Sequence, residues 1–430
     1  MTAPLRIGLA GLGTVGAGVA KVLLARGDAL SARGGRGLML MAVAARDRKK
    51  NRGVDLSDIS WEDDAAVFAG RPDIDVVVEL IGGEEGAARV LVEKALEAGK
   101  SVVTANKALI AHHGGTLAAL AEANGATLKF EAAVGGGIPI VKALRESLIS
   151  DEVNAVRGIL NGTCNYILTQ MEATGRAFAA VLAEAQRLGY AEADPALDVG
   201  GGDTAHKLSI LASLAFGVAP DLGAVTVTGI EHVTPADIAF AREFGYRIKL
   251  LGVARRTKDG IEQRVHPAMV RCGTPLADVE GSFNAVFADA GAAGPYFFEG
   301  RGAGEGPTTT AVIADLVDIA RGALGPAFGR PAAKLGRLKS APRELRASAY
   351  YLRFEVLDVP GVMAEISRQL AVEDVSIESM IQRGRAPGEP VAIVMITHEA
   401  AELAVSRALK AIARSDKVRE EPCMIPMEAV

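Results

Sequence analysis

The chain begins with an apolar run, a glycine-rich turn and a helix-like segment: LRIGLA (Leu5–Ala10), GLGTVG (Gly11–Gly16) and AGVAKVLLA (Ala17–Ala25). In a strand–turn–helix unit the three spaced glycines make a tight turn, let the backbone approach a pyrophosphate and pack the helix closely on the strand. The start of the helix supplies free amides and the positive end of its dipole for phosphates. This setting favours dinucleotide binding. The alternative is a purely structural turn, since glycine supplies 49 of the 430 residues.

Strand-like and helix-like segments continue to alternate after this unit. Further strands are predicted at Leu38–Ala45, Val76–Leu80, Ser101–Thr104 and Thr127–Phe130, with helices such as Ala87–Ala98 and Gly114–Ala123 between them. Alternation at these lengths predicts an α/β fold, a doubly wound parallel sheet with helices on both faces. From about Gly135 to Phe298 helices and strands are mixed, which predicts a second domain of α+β type.

The composition limits the kind of protein. Of 430 residues, 49% are hydrophobic and 23% charged, which is typical of a globular protein with about three domains. A net charge of −5 gives no sign of a nucleic-acid or anionic-membrane partner, and no apolar run is long enough to predict a membrane span. Cys164, Cys272 and Cys423 are too few and too scattered for a disulfide framework, so we expect a protein of the reducing cytoplasm.

The end of the second predicted strand bears on the choice of cofactor. It reads Ala44-Ala45-Arg46-Asp47-Arg48-Lys49-Lys50, so a base precedes any acid. An acid here would hold the ribose hydroxyls of NAD, whereas an arginine would hold the 2′-phosphate of NADP. Arg46 therefore favours NADP, and Asp47 leaves NAD open. The following Arg48–Lys50 run equally suits a solvated basic loop.

An acid-rich string in the second domain, AQRLGYAEADPALDVGGGDTAHK (Ala185–Lys207), surrounds a triple-glycine turn. Asp203 is predicted at the start of a helix, and Lys207 lies one turn later on the same face. Because buried carboxylates need partners, an ammonium group held by carboxylates beside such a turn is a candidate general acid or base. The alternative is a capped helix with a surface ion pair. His206, on another face of the helix, is expected to pack.

At every motif position this string resembles the homoserine dehydrogenase family. The resemblance implies an oxidoreductase with a Rossmann-type sheet that interconverts L-homoserine and L-aspartate 4-semialdehyde, a step towards threonine, methionine and isoleucine. It implies that Lys207 donates and accepts the proton, and that Lys107 orients the substrate or shares this task. Asp203 and Asp198 would position the lysine or a water, and Glu192 would bind the ammonium group of the substrate.

The same resemblance extends to the cofactor and to a cation. Thr104-Ala105-Asn106-Lys107 matches a string that lies beside the nicotinamide and the substrate in the family. Together, the glycine turn and the resemblance predict that the cofactor is bound by Gly11, Gly13, Thr14, Val15, Gly16, Arg46, Thr104, Lys107 and Gly304. Family members also bind a monovalent cation, usually sodium, and the matching positions are Glu131, Val134, Gly136 and Ile138. By itself, the segment Glu131–Pro139 would be interpreted as a domain hinge.

A small unit is predicted at the C-terminal end. The turn Asp358-Val359-Pro360-Gly361-Val362 lies between a strand and a helix, and the order of elements resembles the ACT type of amino-acid-sensing module. The motif alone would be a simple β-turn. Such modules pair across subunits, so the resemblance implies a homodimer or homotetramer, with threonine as the inhibitor. The predicted division is a dinucleotide-binding domain (1–134 and 300–325), a substrate and dimerisation domain (135–299), a linker (326–348) and a βαββαβ-like ACT domain (349–430).

Three other functions remain open. Another dehydrogenase with the same first domain, acting on a different amino or hydroxy acid, would leave the string Glu192–Lys207 without an explanation. A catalytically silent amino-acid sensor would have no need of Lys107 and Lys207 together. An acylating semialdehyde dehydrogenase would need Cys164 as an activated nucleophile. The family commonly has threonine at that position, which favours a packing role for Cys164.

Overall fold

The first strand, β1 (Leu5–Ala10), lies within a parallel sheet in the computed structural model, which describes residues 3–383 and 389–429. The other strands of the sheet are β2 (Leu38–Ala44), β3 (Ser60–Glu62), β4 (Val76–Glu79), β5 (Ser101–Thr104) and β6 (Leu128–Lys129). Their order is β3-β2-β1-β4-β5-β6, and every neighbouring pair is parallel. The order reverses between β1 and β4, where such sheets bind dinucleotides. The predicted doubly wound sheet is confirmed, and β3 is an edge strand that the pattern missed.

Helices cover both faces of this sheet. They are α1 (Thr14–Ala25), α2 (Gly27–Gly34), α3 (Ala87–Glu97) and α4 (Lys107–Ala123). The predicted start of α4 at Gly114 is wrong, because the helix begins at Lys107, capped by the Asn106 side chain. Gly114 is needed here for close packing, since a Cβ at this position would lie 2.8 Å from the Phe328 ring.

The second unit is built on a mainly antiparallel sheet. Its strands are β7 (Ala155–Ile159), β8 (Thr226–Val227), β9 (Tyr246–Thr257), β10 (Gly260–Arg271), β11 (Phe283–Asp289) and β12 (Pro295–Arg301). Its helices are α5 (Ile140–Lys142), continued by a π-helix (Ala143–Ser147), α6 (Gly162–Thr174), α7 (Phe178–Arg187), α8 (Ala196–Val199), α9 (Gly202–Phe216) and α10 (Pro235–Glu243). The mixture is the α+β arrangement that the pattern predicted, although α6 was not expected.

The chain then returns to the first unit through α11 (Glu305–Ala320). The apolar face of α11, including Val312 and Leu316, shares a core with Val19 and Leu23 of α1. Short 3-10 turns occupy Ala65–Ala69, Glu131–Ala133, Leu222–Ala224, Gly291–Ala293, Ala332–Lys334 and Arg343–Leu345. Among the described residues, every helix is too short or too polar to cross a lipid bilayer.

The C-terminal unit has a β-α-β-β-α-β order. Its elements are β13 (Ala347–Ser348), β14 (Tyr350–Leu357), α12 (Val362–Val372), β15 (Ile377–Gln382), β16 (Pro390–Thr397), β17 (Ala400–Ala401), α13 (Glu402–Ile412) and β18 (Cys423–Glu428). The main strands form an antiparallel sheet in the order β18-β14-β16-β15. β18 also pairs with β10, aligning Met427 with Met269 and Glu428 with Val270, so the sheets of the second and C-terminal units are continuous.

Buried polar contacts join the same two units. Asp237 of α10 accepts hydrogen bonds from Arg353 Nε (2.7 Å) and from the Tyr351 hydroxyl (3.0 Å) on β14. Glu428 on β18 is paired with Arg264 on β10, and both side chains are buried. The segment 326–348 also contacts the second unit, through isolated β-bridges such as the one between Gly336 and Val218. The C-terminal unit is therefore packed firmly against the second unit of its own chain.

Candidate active site

A cavity of about 550 Å³ lies between the parallel sheet and the second unit. Its walls come from the start of α1, the start of α4, the segment after β6, the start of α6, the α7–α9 region and the turn before α11. Among the lining residues are Val15, Lys107, Asn161, Tyr190, Asp198, Asp203, Lys207, Asn284, Arg301 and Gly304. The cavity therefore collects residues from both units at the ligand-binding edge of the sheet.

Two lysines meet one buried carboxylate in this cavity. Lys207 Nζ donates to Asp203 Oδ2 (2.7 Å) and to the Leu160 carbonyl (2.6 Å). Lys107 Nζ lies 3.0 Å from Asp203 Oδ1. The predicted contact between Asp203 and Lys207 is confirmed. The N-cap of α9, however, is Gly201, without a side-chain hydrogen bond, and the Asp203 carboxylate is used to hold the lysines. The capped-helix alternative is therefore wrong.

Asn161 was not predicted as a site residue, yet its side chain links the carboxylates of Asp198 and Asp203. Its Oδ1 accepts a hydrogen bond from Cys164 N (2.8 Å) and caps α6. Its Nδ2 donates to Asp198 Oδ1 (2.8 Å) and to Asp203 Oδ2 (2.9 Å). An asparagine followed by a helix-like segment is a cap signal that could have been found in the sequence. Its contact with the acids required the fold.

The charges in the cavity stabilise one another. Burial alone would raise the pKa of Asp203, but the ammonium groups of Lys207 and Lys107 outweigh it and hold that pKa well below its usual range. Burial opposes the charged form of Lys107, but Asp203 and more distant acids outweigh it and raise the pKa of Lys107. Burial raises the pKa of Asp198. The site therefore keeps Lys107 as an ammonium group, a hydrogen-bond and proton donor.

Glu192, the predicted ligand of the substrate ammonium, is exposed in the segment between α7 and α8. It does not belong to the cavity lining described above, although Gly189 and Tyr190, just before it, do. Its charge is one of those that raise the pKa of Lys107. Glu192 thus lies close enough to Lys107 to act on it electrostatically, at the edge of the cavity.

A second cavity, of about 530 Å³, extends along the glycine turn and the end of β2. A Cβ on Gly16 would lie 1.9 Å from the Gly11 carbonyl oxygen, so this glycine is required by the turn itself. A Cβ on Gly13 would meet no atom within 4 Å, so that glycine leaves an open cradle. Gly13 is also the N-cap of α1 and has no side-chain cap, which leaves the amides of the first turn, at Thr14 and Val15, available to an anion.

In the basic loop after β2, some side chains make contacts within the loop region and one faces the second cavity. Arg48 and Arg52 lie over the Trp61 ring, at 5.6 and 5.3 Å from its centre. Asp47 accepts a hydrogen bond from Lys49 N (2.9 Å), which closes a turn. Arg46 is exposed, lines the second cavity and makes no hydrogen bond or ion pair with another described residue. Arg46 is therefore available to bind an anionic group.

Thr104 is turned away from both cavities. It is fully buried, and its hydroxyl donates to Glu79 Oε2 (2.6 Å) and accepts from Asn106 N (2.9 Å). Glu79 Oε1 in turn accepts from the amides of Ile81 (2.7 Å) and Gly82 (3.0 Å). The Thr104 side chain thus positions the loops after β4 and β5, and a cofactor contact by Thr104 stays a prediction. Glu79 was missed because a lone acid at the end of a strand carries no motif.

The predicted cation segment surrounds a buried carboxylate. Glu131 accepts hydrogen bonds from the amides of Val141 (3.0 Å) and Lys142 (2.8 Å). Burial and the nearby Asp315 carboxylate raise the pKa of Glu131 to about 7. Val134, Gly136 and Ile138 are buried beside it in the chain. A carboxylate and backbone carbonyls are the donors that hard cations prefer, and a cation would compensate the buried charge, so these residues fit such an ion.

Cys164 does not suit a nucleophile. It is fully buried, and its thiol donates to the Asp198 carbonyl (3.2 Å). Burial raises the pKa of Cys164 well above its ordinary value, whereas an acylating enzyme needs an accessible thiolate. The geometry therefore gives no support to the acylating alternative.

Comparison with known proteins identifies the family to which this arrangement belongs. The family model "Homoserine dehydrogenase" matches residues 139–317, and "Homoserine dehydrogenase, NAD binding domain" matches residues 11–131. A homoserine dehydrogenase from Neisseria gonorrhoeae is 44% identical over 433 residues, covering 99% of this chain and 99% of that protein. A crystal structure of a homoserine dehydrogenase from Thiobacillus denitrificans has a TM-score of 0.93 at 42% identity, covering 99% of this chain and 98% of that one.

A more distant structure is that of a hyperthermophilic archaeal homoserine dehydrogenase in complex with NADPH. It has a TM-score of 0.65 at 26% identity, covering 75% of this chain and 99% of that one. Full-length identity, the two family matches and the shared fold agree with the lysine–carboxylate cavity beside a dinucleotide-binding turn. The chain belongs to the homoserine dehydrogenase family of NAD(P)-dependent oxidoreductases.

Proposed function

We propose that this chain interconverts L-homoserine and L-aspartate 4-semialdehyde with NADP as its preferred cofactor. The observation that carries the proposal is the Asp203 carboxylate, which bridges Lys107 and Lys207 in a cavity next to the glycine turn. Oxidation of a primary alcohol removes a hydride from carbon and a proton from oxygen, and reduction returns both. The nicotinamide supplies the hydride chemistry when bound. The protein must therefore supply the proton and orient the oxygen.

The lysines supply the proton chemistry in this proposal. In the reductive direction the Lys207 ammonium donates a proton to the carbonyl oxygen while the carbonyl carbon accepts the hydride, and the product is the alcohol. In the oxidative direction the neutral amine takes the hydroxyl proton back. Lys107 orients the same oxygen or shares the transfer. Asp203 holds both ammonium groups in place, and Asp198, held by Asn161, positions the lysine or a water.

Glu192 is proposed to bind the ammonium group of the substrate. An amino-acid substrate brings a positive charge, which needs an anionic partner apart from the carboxylate that already holds the lysines. Glu192 is exposed near the cavity and acts electrostatically on Lys107, which supports this assignment. A Glu192→Gln variant should raise KM for L-homoserine far more than it lowers kcat.

The cofactor assignments rest on the glycine turn and on Arg46. Gly11, Gly13, Thr14, Val15 and Gly16 would hold the pyrophosphate, whereas Lys107 and Gly304 would lie near the nicotinamide. Arg46 would bind the 2′-phosphate. Because charge-assisted hydrogen bonds contribute about 1.5–3 kcal/mol, Arg46→Ala should raise KM for NADP about 10- to 100-fold and leave KM for NAD unchanged. Arg48→Ala, which removes the arginine over Trp61, is the matched control.

A monovalent cation, proposed to be sodium, would be held by Glu131 and by the carbonyls of Val134, Gly136 and Ile138. Its role would be structural, because this segment joins the first unit to the second. The buried Glu131 carboxylate supports the assignment.

The C-terminal unit, residues 349–430, is proposed to be an ACT-type module that binds threonine. Its β-α-β-β-α-β order supports this, as does the N-cap of α12, Gly361, which has a φ of +91° directly after Pro360. We also propose a homodimer or homotetramer, and the domain division predicted from the sequence. Since β18 pairs with β10, removal of the whole unit would disrupt the second unit as well. Threonine sensitivity is better tested with Gly361→Ala than by truncation.

The decisive experiment follows nicotinamide absorbance with L-homoserine and either NADP or NAD, for the wild type and for Lys207→Met. Lys249→Met is the matched control, because Lys249 is also buried but bonds to Val279 and Asn165 outside the cavity. Turnover that requires homoserine and is lost only in Lys207→Met supports the proposal. No turnover in a wild type that binds NADPH would point to another substrate or to a silent sensor. Unchanged turnover in Lys207→Met would refute the role of Lys207.

A further inference from the structure

A cluster of two histidines and one glutamate lies next to the lysine–carboxylate group formed by Lys107, Lys207 and Asp203. His206, on α9, directly precedes Lys207, and His112 lies on α4, the helix that begins with Lys107. Glu84 lies in the loop between β4 and α3. One ring nitrogen of each histidine and one carboxylate oxygen of Glu84 all lie within 4.8 Å of one another. We propose that Glu84, His112 and His206 form a zinc-binding site.

The geometry of the cluster suits a small transition-metal ion. His112 Nε2 lies 2.9 Å from Glu84 Oε2, and the rings of His112 and His206 are 5.6 Å apart and inclined at 59°. Zinc binds histidine nitrogen and carboxylate oxygen at about 2.0–2.2 Å, so a modest contraction of these side chains would bring all three donors into its shell. Two nitrogen donors favour zinc over magnesium or calcium, which prefer oxygen.

The buried side chain of His206 gives a second, independent reason to expect a metal ion at this cluster. It is nine-tenths buried, and its Nδ1 has no hydrogen-bond partner among the described residues. A buried polar atom without a partner is costly, and the Glu84–His112 ion pair does not explain it. Burial and the neighbouring His112 lower the pKa of His206, and this is the direction that favours the neutral ring form that binds a metal.

The loop that carries Glu84 is held beside α4. The Glu84 carboxylate is the negative charge of the cluster itself, next to the group in which Asp203 contacts both Lys107 and Lys207. The Asn106 side chain donates to the Gly83 carbonyl (2.6 Å). This bond holds the loop that carries Glu84 against the start of α4, which carries His112. Two of the three ligands are therefore fixed relative to each other before any ion binds.

Zinc at this site would add a divalent charge close to Lys107. Such a charge disfavours the ammonium form, so zinc should inhibit turnover by the mechanism proposed above. Inhibition rests on that proposed function, whereas binding does not, and the two can therefore be tested separately.

The test is calorimetric titration of the tag-free, metal-depleted full-length protein with zinc chloride, in a Cys272→Ser background because the exposed Cys272 thiol is another zinc ligand. We expect one tight site per chain. His112→Ala and Glu84→Gln should each weaken it at least about 100-fold, more than the loss of an outer-shell partner. The matched controls are His113→Ala and Glu85→Gln, a pair that lies 2.9 Å apart one residue further along each segment.

The titration relies mainly on variants of surface residues. His112 and Glu84 are exposed, so their variants should fold. Equal zinc affinity in His112→Ala and His113→Ala would overturn the proposal, as would a wild type that binds no zinc. His206→Gln adds the third ligand, after NADPH binding has shown that this variant is folded. Loss of zinc binding in His206→Gln supports the complete site, whereas retention would remove His206 from it and overturn the three-ligand proposal.

Discussion

Replacing Asp203 with asparagine removes the carboxylate that contacts both site lysines, at 3.0 Å from Lys107 and 2.7 Å from Lys207. Asparagine has the same size and keeps a hydrogen-bond acceptor, so the change isolates charge. Burial opposes the ammonium form of Lys107, and Asp203 is the main group that overcomes it. Without this carboxylate, burial should dominate and the pKa of Lys107 should fall below its usual value.

The size of the effect follows from the contact distances. An opposite charge this close shifts a pKa by about 1–3 units, each unit corresponding to about 1.36 kcal/mol. We therefore expect the alkaline limb of the pH profile of kcat/KM, for reduction of aspartate semialdehyde, to move down by about 1–3 pH units in Asp203→Asn. At neutral pH kcat should fall at least about 100-fold, because Lys207 loses the carboxylate that positions it and Lys107 is less charged. Breaking a buried ion pair also costs about 3–5 kcal/mol of stability.

Two measurements keep this interpretation testable. NADPH binding and thermal unfolding first establish that Asp203→Asn is folded. Asp194→Asn is the matched control, since Asp194 belongs to the same acid string but is exposed and, among the described residues, accepts a hydrogen bond only from the Ala196 amide (3.2 Å). If the pH profiles of the two variants superimpose, Asp203 does not control the charge of Lys107 and the reasoning is refuted.

Three further predictions concern the glycine turn, the buried Glu428 between the second and C-terminal units, and the buried Glu131 of the proposed cation site. Gly13→Ala should fold normally but bind NADPH about 10- to 100-fold more weakly in a fluorescence titration. Gly16→Ala, whose Cβ would lie 1.9 Å from a carbonyl oxygen, should lower the unfolding temperature in calorimetry. A destabilised Gly13→Ala together with a stable Gly16→Ala that binds NADPH weakly would contradict the assignment of the open space at Gly13 to the cofactor. Burial would raise the pKa of Glu428, but His266 and Arg264 outweigh it and lower that pKa to about 2. Its contribution, up to about 3 kcal/mol, is therefore present above about pH 4.5 and lost as the pH falls towards 2, and Glu428→Gln should lack this part of the acid-unfolding curve. The raised pKa of Glu131, about 7, has the opposite sign: stability should fall as the pH rises from about 4.5 to 7, and sodium should restore it above pH 7 in the wild type but not in Glu131→Gln.

The parallel sheet and the glycine turn could be predicted because their signals are local. A buried strand, a tight turn and a helix follow one another within Leu5–Ala25, and each needs only its own residues to be recognised. The contact between Asp203 and Lys207 is also local, since a spacing of four residues on a helix places them on one face. The start of α4 was predicted wrongly because its cap, the Asn106 side chain that accepts from Leu109 N, was not recognised as the beginning of the helix.

The sequence by itself determined the sheet, the turn for a dinucleotide and the ion pair on α9, because periodicity and short spacing carry that information. Only the tertiary structure decided that Lys107, from a distant helix, shares the same carboxylate, and that Asn161 holds both acids. It also decided that Thr104 faces inward and that β18 joins β10 in one sheet. These contacts pair residues far apart in the chain. Their partners are selected by the packing of whole elements, and no local pattern records that choice.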